Sequence, residues 1–185
     1  ELTAERTVER TDDDRVRVVS SSQGPMGSAT DTYVLDADSL LPETRRVEQG
    51  PATIEIEYGS DEVTGTISAG QEMPISVSLD APAFGADAAL ETAIQAMPLD
   101  EGFSATVRAV EIGMQQRVRF HAVRVDGAET IEVPAGEFET FRVVVEPIDG
   151  EGGGQTLWVT REAPRVLVTA ESTLQPQMGR APGTS

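Results

Sequence analysis

Apolar and polar residues alternate along most of the chain, and this period of two is typical of β-strands with one buried face. The clearest case is Thr53–Tyr58, where Ile54, Ile56 and Tyr58 share one side and the acidic residues the other. The region from Val125 to Val159 adds two hairpin signals, the single Trp and the longest β-branched run. We therefore predict a mainly β fold, a strongly curved antiparallel sheet or open half-barrel of about 10–13 strands.

The period changes once, after Asp87. Apolar residues then recur at i, i+3, i+4 and i+7, which predicts one short α-helix that begins after Asp87 and ends before Pro98. Asp87 is the expected N-cap. The helix has a single apolar stripe, so we expect it to pack in the concave face of the sheet. The stripe consists of Leu90, Ala93, Ile94 and Met97.

The length of 185 residues fits one domain of ordinary size. The strand and turn signals continue to the residues just before Gln175, and a stretch rich in Pro, Gly and Gln follows. We predict a single curved β-sheet domain over residues 1–174 and a flexible C-terminal tail over residues 175–185.

The chain is strongly acidic, with 32 Asp and Glu residues against 14 basic residues and a formal net charge of −18. All the basic residues are Arg. This charge disfavours nucleic acid and anionic membranes as partners, and it is typical of a salt-adapted protein whose melting temperature rises with ionic strength. No run approaches the ~20 apolar residues of a membrane helix, so we expect no transmembrane segment.

Few residues carry reactive chemistry. There is no Cys, so thiolate chemistry is excluded. The only His, His121, is expected at the surface. The sequence also has no Gly-x-Ser-x-Gly motif that would supply a serine nucleophile. The acidic turns at Asp12–Asp14, Asp36–Asp38 and Asp149–Glu151 lack the ligand spacing of a calcium loop and are interpreted as solvated turns. We predict no catalytic residues, no metal and no cofactor. A carboxylate-based hydrolase is the third hypothesis for function, because many acids are available.

A curved sheet around one helix creates a possible binding site. If the helix does not fill the concave face, an apolar cavity remains that suits an acyl chain or a similar hydrophobic molecule. The alternative is that the helix fills the space completely. Trp158 is interpreted as either a core anchor on the second face or an exposed ligand platform. The candidate lining consists of Leu90, Ile94, Met97, Phe120, Phe141, Val143 and Trp158.

A set of turn and strand motifs spans residues 35–173. It comprises Leu35-Asp36-x-x-x-Leu40-Leu41-Pro42, Val63-Thr64-Gly65, Leu99-x-Glu101-Gly102-Phe103, Val125-x-Gly127-x-Glu129, Val133-Pro134-Ala135-Gly136-Glu137-Phe138, Leu157-Trp158-Val159 and Pro164-Arg165-Val166. In these motifs the chain resembles a domain-of-unknown-function family of the bacterial envelope. Such domains are similar in architecture to the periplasmic lipoprotein carriers, which are antiparallel half-barrels folded around a helix.

The resemblance implies export, so we expect an extracytoplasmic location, in the periplasm or cell envelope, with the export signal outside this sequence. It carries over no catalytic residue. The leading hypothesis is a non-catalytic binding or accessory domain whose partner is a hydrophobic, lipid-like molecule or an envelope protein. The alternative is a structural or protein-interaction module with a solid core, appended to another domain.

Overall fold

The computed structural model of the chain describes residues 3–24, 27–113 and 115–173. These residues form thirteen strands and one helix. In chain order they are β1 (Thr3–Arg10), β2 (Arg15–Gly24), β3 (Gly27–Asp36), β4 (Pro42–Gln49), β5 (Ala52–Tyr58), β6 (Glu62–Ser68), β7 (Glu72–Ser78), β8 (Phe84–Gly85), α1 (Ala88–Ala96), β9 (Ser104–Ile112), β10 (Gln116–Val133), β11 (Gly136–Pro147), β12 (Gly154–Thr160) and β13 (Leu167–Thr173).

The strands form two sheets. The first is a seven-stranded antiparallel meander in which each strand from β1 to β7 pairs with the next one along the chain. The second has six strands in the order β13-β12-β11-β10-β9-β8. Its pairs β10–β11, β11–β12 and β12–β13 are antiparallel, and the two-residue β8 joins β9 in parallel.

The chain divides into two compact units. The first comprises Glu1–Met97 with Val107–Arg119, and the second comprises Pro98–Thr106 with Phe120–Ser185. The first sheet lies entirely in the first unit, whereas β9 and β10 each contribute residues to both units. The prediction of a single domain over residues 1–174 stays a prediction, and the predicted tail over residues 175–185 lies outside the described residues.

The core of the first unit follows from the alternation in β2, β3, β5, β6 and β7. One cluster of apolar side chains comes from the strand faces at the β5–β7 end of the sheet, and a second cluster brings β2 and β3 against the start of α1. Tyr58 packs against both clusters. The buried members are Ile56, Val63, Ile75, Val77, Ala83 and Val110 in the first cluster, and Val18, Tyr33, Leu35, Ala88 and Ala89 in the second.

Two glycines allow close approaches within this unit. A Cβ atom on Gly65 would collide with the backbone carbonyl of Glu55, so glycine at this position allows the close approach of β6 to β5. A Cβ atom on Gly85 would lie 2.6 Å from the Tyr33 ring. Glycine is therefore required at Gly85 for the Tyr33 ring to pack against the segment that leads into α1.

The helix α1 has the predicted position, but its N-terminus differs from the prediction. Asp87 occupies the N-cap position with a positive φ of 54°, and its side chain makes no capping hydrogen bond. Its carboxylate instead accepts a hydrogen bond from Arg45 at 3.3 Å. The predicted capping role of the side chain is therefore wrong, because the carboxylate binds Arg45 and not the N–H groups of the first turn of α1.

Burial of α1 extends beyond one stripe. The seven residues from Ala88 to Ile94 are all buried, which covers the full circumference of its first two turns. Two polar members satisfy their own groups: Thr92 donates to the carbonyl of Ala88 at 2.7 Å, and Glu91 pairs with Arg6 of β1. The sequence pattern identified the apolar stripe and missed these polar residues, because Thr92 bonds to its own helix and the partner of Glu91 lies 85 residues away.

In the second unit, β10, β11 and β12 form two successive hairpins, as the Val125–Val159 region predicts. β10 is one strand of 18 residues, and its register against β11 shifts between Val125 and Gly127. The register shift is therefore a bulge within one continuous strand. One face of these strands is buried and apolar, and its side chains are Val123, Val125, Phe141, Val143, Val145, Leu157 and Val159.

The predicted fold class is confirmed. The chain is mainly β with one short helix, and the described strands fall within the expected number. They belong to two sheets, a curled, open half-barrel and a second antiparallel sheet. The alternation predicts strands, but it does not specify where one sheet ends and the next begins, because that depends on which strand edges find partners.

Candidate functional site

β1 is an edge of the seven-stranded sheet and pairs only with β2 among the described residues. In the turn after β1, the N–H of Thr11 donates to the carbonyl of Arg15 at 2.8 Å, which defines a hydrogen-bonded pair. The β1–β2 register shows no shift, so such pairs recur at every second residue. The N–H and C=O groups of Arg6, Val8 and Arg10 therefore point away from β2, along an open edge.

The side chains of β1 separate by charge onto two faces. One face carries Glu5, Thr7 and Glu9, and the other carries Arg6, Val8 and Arg10, by the alternation of the strand. All six side chains are exposed, and Val8 keeps 49% of its surface accessible.

Ion pairs differ between these two faces. Arg6 pairs with the buried Glu91, and Arg10 pairs with Asp14 at 2.8 Å. Glu5 and Glu9 take part in none of the ion pairs found in the described ranges. The acidic face of β1 therefore keeps its charge, whereas the charge of the other face is largely compensated.

The opposite edge of the same sheet, β7, is closed. The N–H of Ser76 donates to Oε1 of Gln116 at 3.2 Å, and Nε2 of Gln116 donates to the carbonyl of Pro74 at 3.5 Å. The ring of Pro74 removes the N–H that would otherwise point to solvent. A side-chain amide thus occupies the hydrogen-bonding positions that a further strand would take.

A buried ion network lies at the centre of the first unit. Arg45 of β4 is only 9% exposed and binds Asp31 of β3 in a bidentate manner, with distances of 3.0 Å and 2.7 Å. Its guanidinium carbon lies 4.7 Å from the centroid of the Tyr33 ring. Together with the bond to Asp87, these contacts connect β3 and β4 to the start of α1.

The electrostatics of this network favour a charged guanidinium beside neutral phenols. Burial alone would lower the pKa of Arg45, but hydrogen bonds to Asp31 and the charges around it raise that pKa above its ordinary value. Burial raises the pKa of Tyr33 well above its ordinary value and also raises that of Tyr58. The charge of Arg45 and the Tyr33 hydroxyl oppose this rise in the pKa of Tyr58. Neither phenol hydroxyl has a partner with hydrogen-bond geometry. The network is therefore a structural centre with its charges satisfied internally.

A polar hollow of about 320 Å³ lies beside this network. Its charged side chains have both signs, and Glu111 is within 3.4 Å of Arg119, so its charge is shared with a basic neighbour. Asp87, which is exposed on this side, joins the hollow to the Arg45 network. The lining does not resemble a hydrophobic cavity, and it consists of Ala86, Asp87, Glu111, Ile112, Gly113, Gln115 and Arg117.

Three of the predicted lining residues belong to α1 or to its C-cap, in the first unit. Leu90 is 2% exposed and Ile94 has no accessible surface, while Met97 is half-buried. A side chain without surface accessible to water packs against protein atoms and does not line an open space. Leu90 and Ile94 are core residues in this conformation.

The other four lie in the second unit and do not share one face. Phe141 and Val143 are buried on the apolar face of β11, whereas Trp158 is paired with Arg142 on the opposite face. Phe120 is 47% exposed. The predicted lining set is thus divided between two units and, within the second, between two faces of the sheet.

Trp158 lies on the second face of the sheet, opposite the face of Phe141 and Val143. It is half-buried, and its indole N–H donates to Oε1 of Glu129 at 2.7 Å. The nearby Arg142 forms an ion pair with Asp126 at 3.1 Å. Trp158 therefore packs under polar side chains on the second face, with its single donor satisfied.

The groups considered for catalysis or metal binding lie in ordinary surroundings. His121 is half-buried and paired with Pro147 across the β10–β11 ladder. Asp36 accepts hydrogen bonds from the hydroxyl and N–H of Ser39, which lower its pKa, and Asp149 accepts from the N–H of Glu151. These acidic turns are closed by their own neighbours. Within the described ranges, no cluster of three or more His, Cys, Asp or Glu side chains is arranged to hold a metal, and no helix is long and apolar enough to span a membrane.

Sequence reasoning missed both sheet edges. β1 has only one apolar residue that packs beside a buried neighbour, so hydrophobic periodicity does not detect it. A weak signal was present in the placement of Glu5 and Glu9 on one parity of the chain and of Arg6 and Arg10 on the other, a spacing of four that fits a strand and a helix alike. Gln116 has no comparable signal, because its role depends on a contact 40 residues away in sequence.

Comparison with known proteins gives one match. No curated protein and no solved structure is significantly similar to the chain. A family model described as "Protein of unknown function (DUF3108)" matches residues 1–179. This match covers nearly the whole sequence, including both edges of the first sheet, the ion network and the second unit, and the chain therefore belongs to the DUF3108 family.

Proposed function

We propose that the chain is a non-catalytic, extracytoplasmic binding domain that recognises an extended segment of a protein partner by strand addition at β1. The observation that carries this proposal is the open backbone of β1, with the outward N–H and C=O groups of Arg6, Val8 and Arg10. An extended peptide that adds to a sheet edge gains affinity from main-chain hydrogen bonds and specificity from alternate side chains.

Three features of the first unit support this mode of binding. Ile94 of α1 is fully buried, which supports the alternative in which the helix fills the space beneath the sheet. Gln116 occupies the β7 edge, and β1 is the edge of the same sheet without a second strand partner in the part of the chain that the structure describes. Proline, bulges and charged side chains all protect edge strands from pairing, and of these β1 has only charged side chains, which oppose some strands and attract others. The extracytoplasmic location rests on the resemblance to envelope domains and is tested by cell fractionation in the native host.

The test removes one outward N–H without disturbing the β1–β2 ladder. Val8→Pro deletes a donor that faces solvent, and proline is compatible with an edge strand in that orientation. The matched control is Glu72→Pro, which deletes the equivalent outward donor at the start of the closed β7 edge. The probes are three acetylated and amidated heptapeptides: Thr-Lys-Val-Thr-Val-Lys-Thr, its counterpart with Glu for Lys, and its counterpart with Gln for Lys.

Binding is measured by NMR titration of the labelled protein. We expect at least one peptide to bind the wild-type chain and the Glu72→Pro variant, and to lose binding in Val8→Pro. A Val8→Thr variant keeps the backbone donor and should retain binding, which separates the backbone from the side chain. Absence of binding for all three peptides, or equal binding to both proline variants, would overturn the proposal.

A second candidate function is the binding of a hydrophobic, lipid-like molecule. It is supported by the continuous apolar face of β10–β12 in the second unit and by the exposed Phe120. Because Val143 is fully buried, such a ligand would have to displace packed side chains. Native mass spectrometry of the protein isolated from its own host is the test: a bound lipid would favour this function, and its absence would count against it.

A further inference from the structure

The two faces of β1 restrict what can pair with it. In an antiparallel ladder, residues directly opposite each other point to the same face of the sheet. All charged residues on one face of β1 are Glu, and all on the other are Arg. A strand with the same sequence would therefore always place Glu opposite the acidic face and Arg opposite the basic face.

The two-fold symmetric registers of β1 with a second copy that are centred on any residue from Glu5 to Arg10 each place like charges opposite one another. A ladder centred on Thr7 places Glu5 opposite Glu9 twice. Centring on Arg6 places that residue opposite itself, and centring on Val8 places Arg6 opposite Arg10 twice. Like charges directly opposite each other destabilise a ladder. The edge is therefore open to another strand while its charges discourage association with a second copy of the chain.

The uncompensated acidic face shows which partner would fit. The outward backbone groups belong to Arg6, Val8 and Arg10, so an added antiparallel strand would form its hydrogen-bonded pairs with these residues. Glu5 and Glu9 would then occupy non-hydrogen-bonded pairs, in which opposite Cα atoms are about 4.5 Å apart and side chains are closest. Two basic residues four positions apart on the partner would face both carboxylates.

On the basis of the proposed function, we propose that β1 binds a strand from a different protein that carries Lys or Arg at two positions four residues apart. The formal charge of −18 adds a long-range attraction toward such a segment. Arg6 and Arg10 already have carboxylate partners, so the opposite face of the added strand needs only small polar or apolar residues beside Val8.

The test compares the basic and acidic heptapeptides on two proteins. We expect the wild-type chain to bind the basic peptide about tenfold more tightly than the acidic one, from two cross-strand pairs of opposite charge. The double variant Glu5→Arg/Glu9→Arg should reverse this preference. In about 1 M salt, where the Debye length is about 3 Å, both preferences should shrink toward equality.

The outcomes separate this inference from the proposed function. Suppose that the basic, acidic and neutral peptides bind with equal affinity and that Val8→Pro abolishes binding of all three. This result would overturn the inference that the partner is basic and leave strand addition intact. A preference for the basic peptide that persists in Val8→Pro would show attraction without strand pairing and would overturn both. Dimerisation of the wild-type chain through β1, detected by sedimentation and abolished in Val8→Pro, would overturn the choice of a different protein as partner.

Discussion

The two edges of the seven-stranded sheet solve the same physical problem in opposite ways. Each edge exposes backbone groups that can pair with any extended chain. At β7, Pro74 removes one donor and Gln116 occupies the next donor and an acceptor. At β1, the outward groups have no partner among the described residues, and only side-chain charge controls access.

The β7 edge is therefore protected from pairing, whereas the β1 edge selects its partner by charge. The side-chain amide of Gln116, 40 residues from Ser76 in sequence, blocks the pairing of any strand with β7 at this point. The charges of β1 oppose some strands and attract others, which is a device for discrimination. Because both edges belong to one sheet and one unit, variants at each edge can be compared in the same molecule.

The largest expected effect comes from the buried Arg45 network in the sheet to which both edges belong. Arg45→Leu would leave Asp31 without its partner in a largely buried position, and we expect a loss of about 3–5 kcal/mol in the free energy of unfolding. Chemical denaturation provides the measurement. The control is Arg46→Leu, since Arg46 forms exposed ion pairs with Glu48 and Glu55 and should contribute less than about 1 kcal/mol. Equal losses in the two variants would contradict a central role for the network.

An alkaline transition should come from the phenols of the same centre. The unfolded phenol ionises near pH 10, whereas burial keeps Tyr33 protonated to higher pH. Above about pH 10 the unfolded state therefore binds fewer protons, and the free energy of unfolding falls by up to about 1.4 kcal/mol per pH unit for each phenol. Below that pH the contribution is fully present.

The variant Tyr33→Phe should reduce this alkaline slope without a loss of stability at neutral pH, because the removed hydroxyl has no hydrogen-bond partner. Denaturant midpoints measured between neutral pH and pH 11 provide the readout. Tyr58→Phe is the matched comparison, since its pKa is raised in the same direction. The same alkaline slope in wild type and Tyr33→Phe would show that this phenol does not control the transition.

A smaller effect should follow from opening the closed edge. Gln116→Ala removes both hydrogen bonds to β7 and should cost about 1 kcal/mol of stability. It should also increase concentration-dependent association in sedimentation experiments, because the donor of Ser76 becomes free.

Two variants sharpen the interpretation of Gln116→Ala. Adding Ser76→Pro removes the freed donor and should restore the sedimentation behaviour of the wild type. Gln115→Ala, an exposed neighbouring amide, should change neither stability nor association. If Gln115→Ala and Gln116→Ala behave alike, the contact with β7 does not protect the edge.

Much of the fold could be predicted from the sequence because it depends on local periodicity. The alternation Ile54-x-Ile56-x-Tyr58, the hairpins of the Val125–Val159 region and the helical stripe of Leu90 and Ile94 all record which side of an element is buried. The division into two sheets and the bulge at Gly127 could not be predicted in the same way, since they depend on pairing between distant strands.

The candidate site was largely inaccessible to sequence reasoning. The predicted lining rested on apolar residues, and the pattern that makes Ile94 and Val143 apolar is the same in a solid core and in a cavity wall. The open edge depends instead on what is missing beside β1, which no local pattern records. The charges from Glu5 to Arg10 recur at a spacing of four, which fits a strand with two differently charged faces and fits a helix equally well.

Amide hydrogen exchange by NMR, with and without the basic heptapeptide, tests the central claim most directly. In the protein alone, the amides of Arg6, Val8 and Arg10 should exchange faster than those of Thr7 and Glu9, and the Ser76 amide should be protected by Gln116. The peptide should slow exchange at Arg6, Val8 and Arg10 and leave Ser76 unchanged. Protection of those three amides before the peptide is added, or peptide-induced protection at Ser76 instead, would contradict an open β1 edge that binds an added strand.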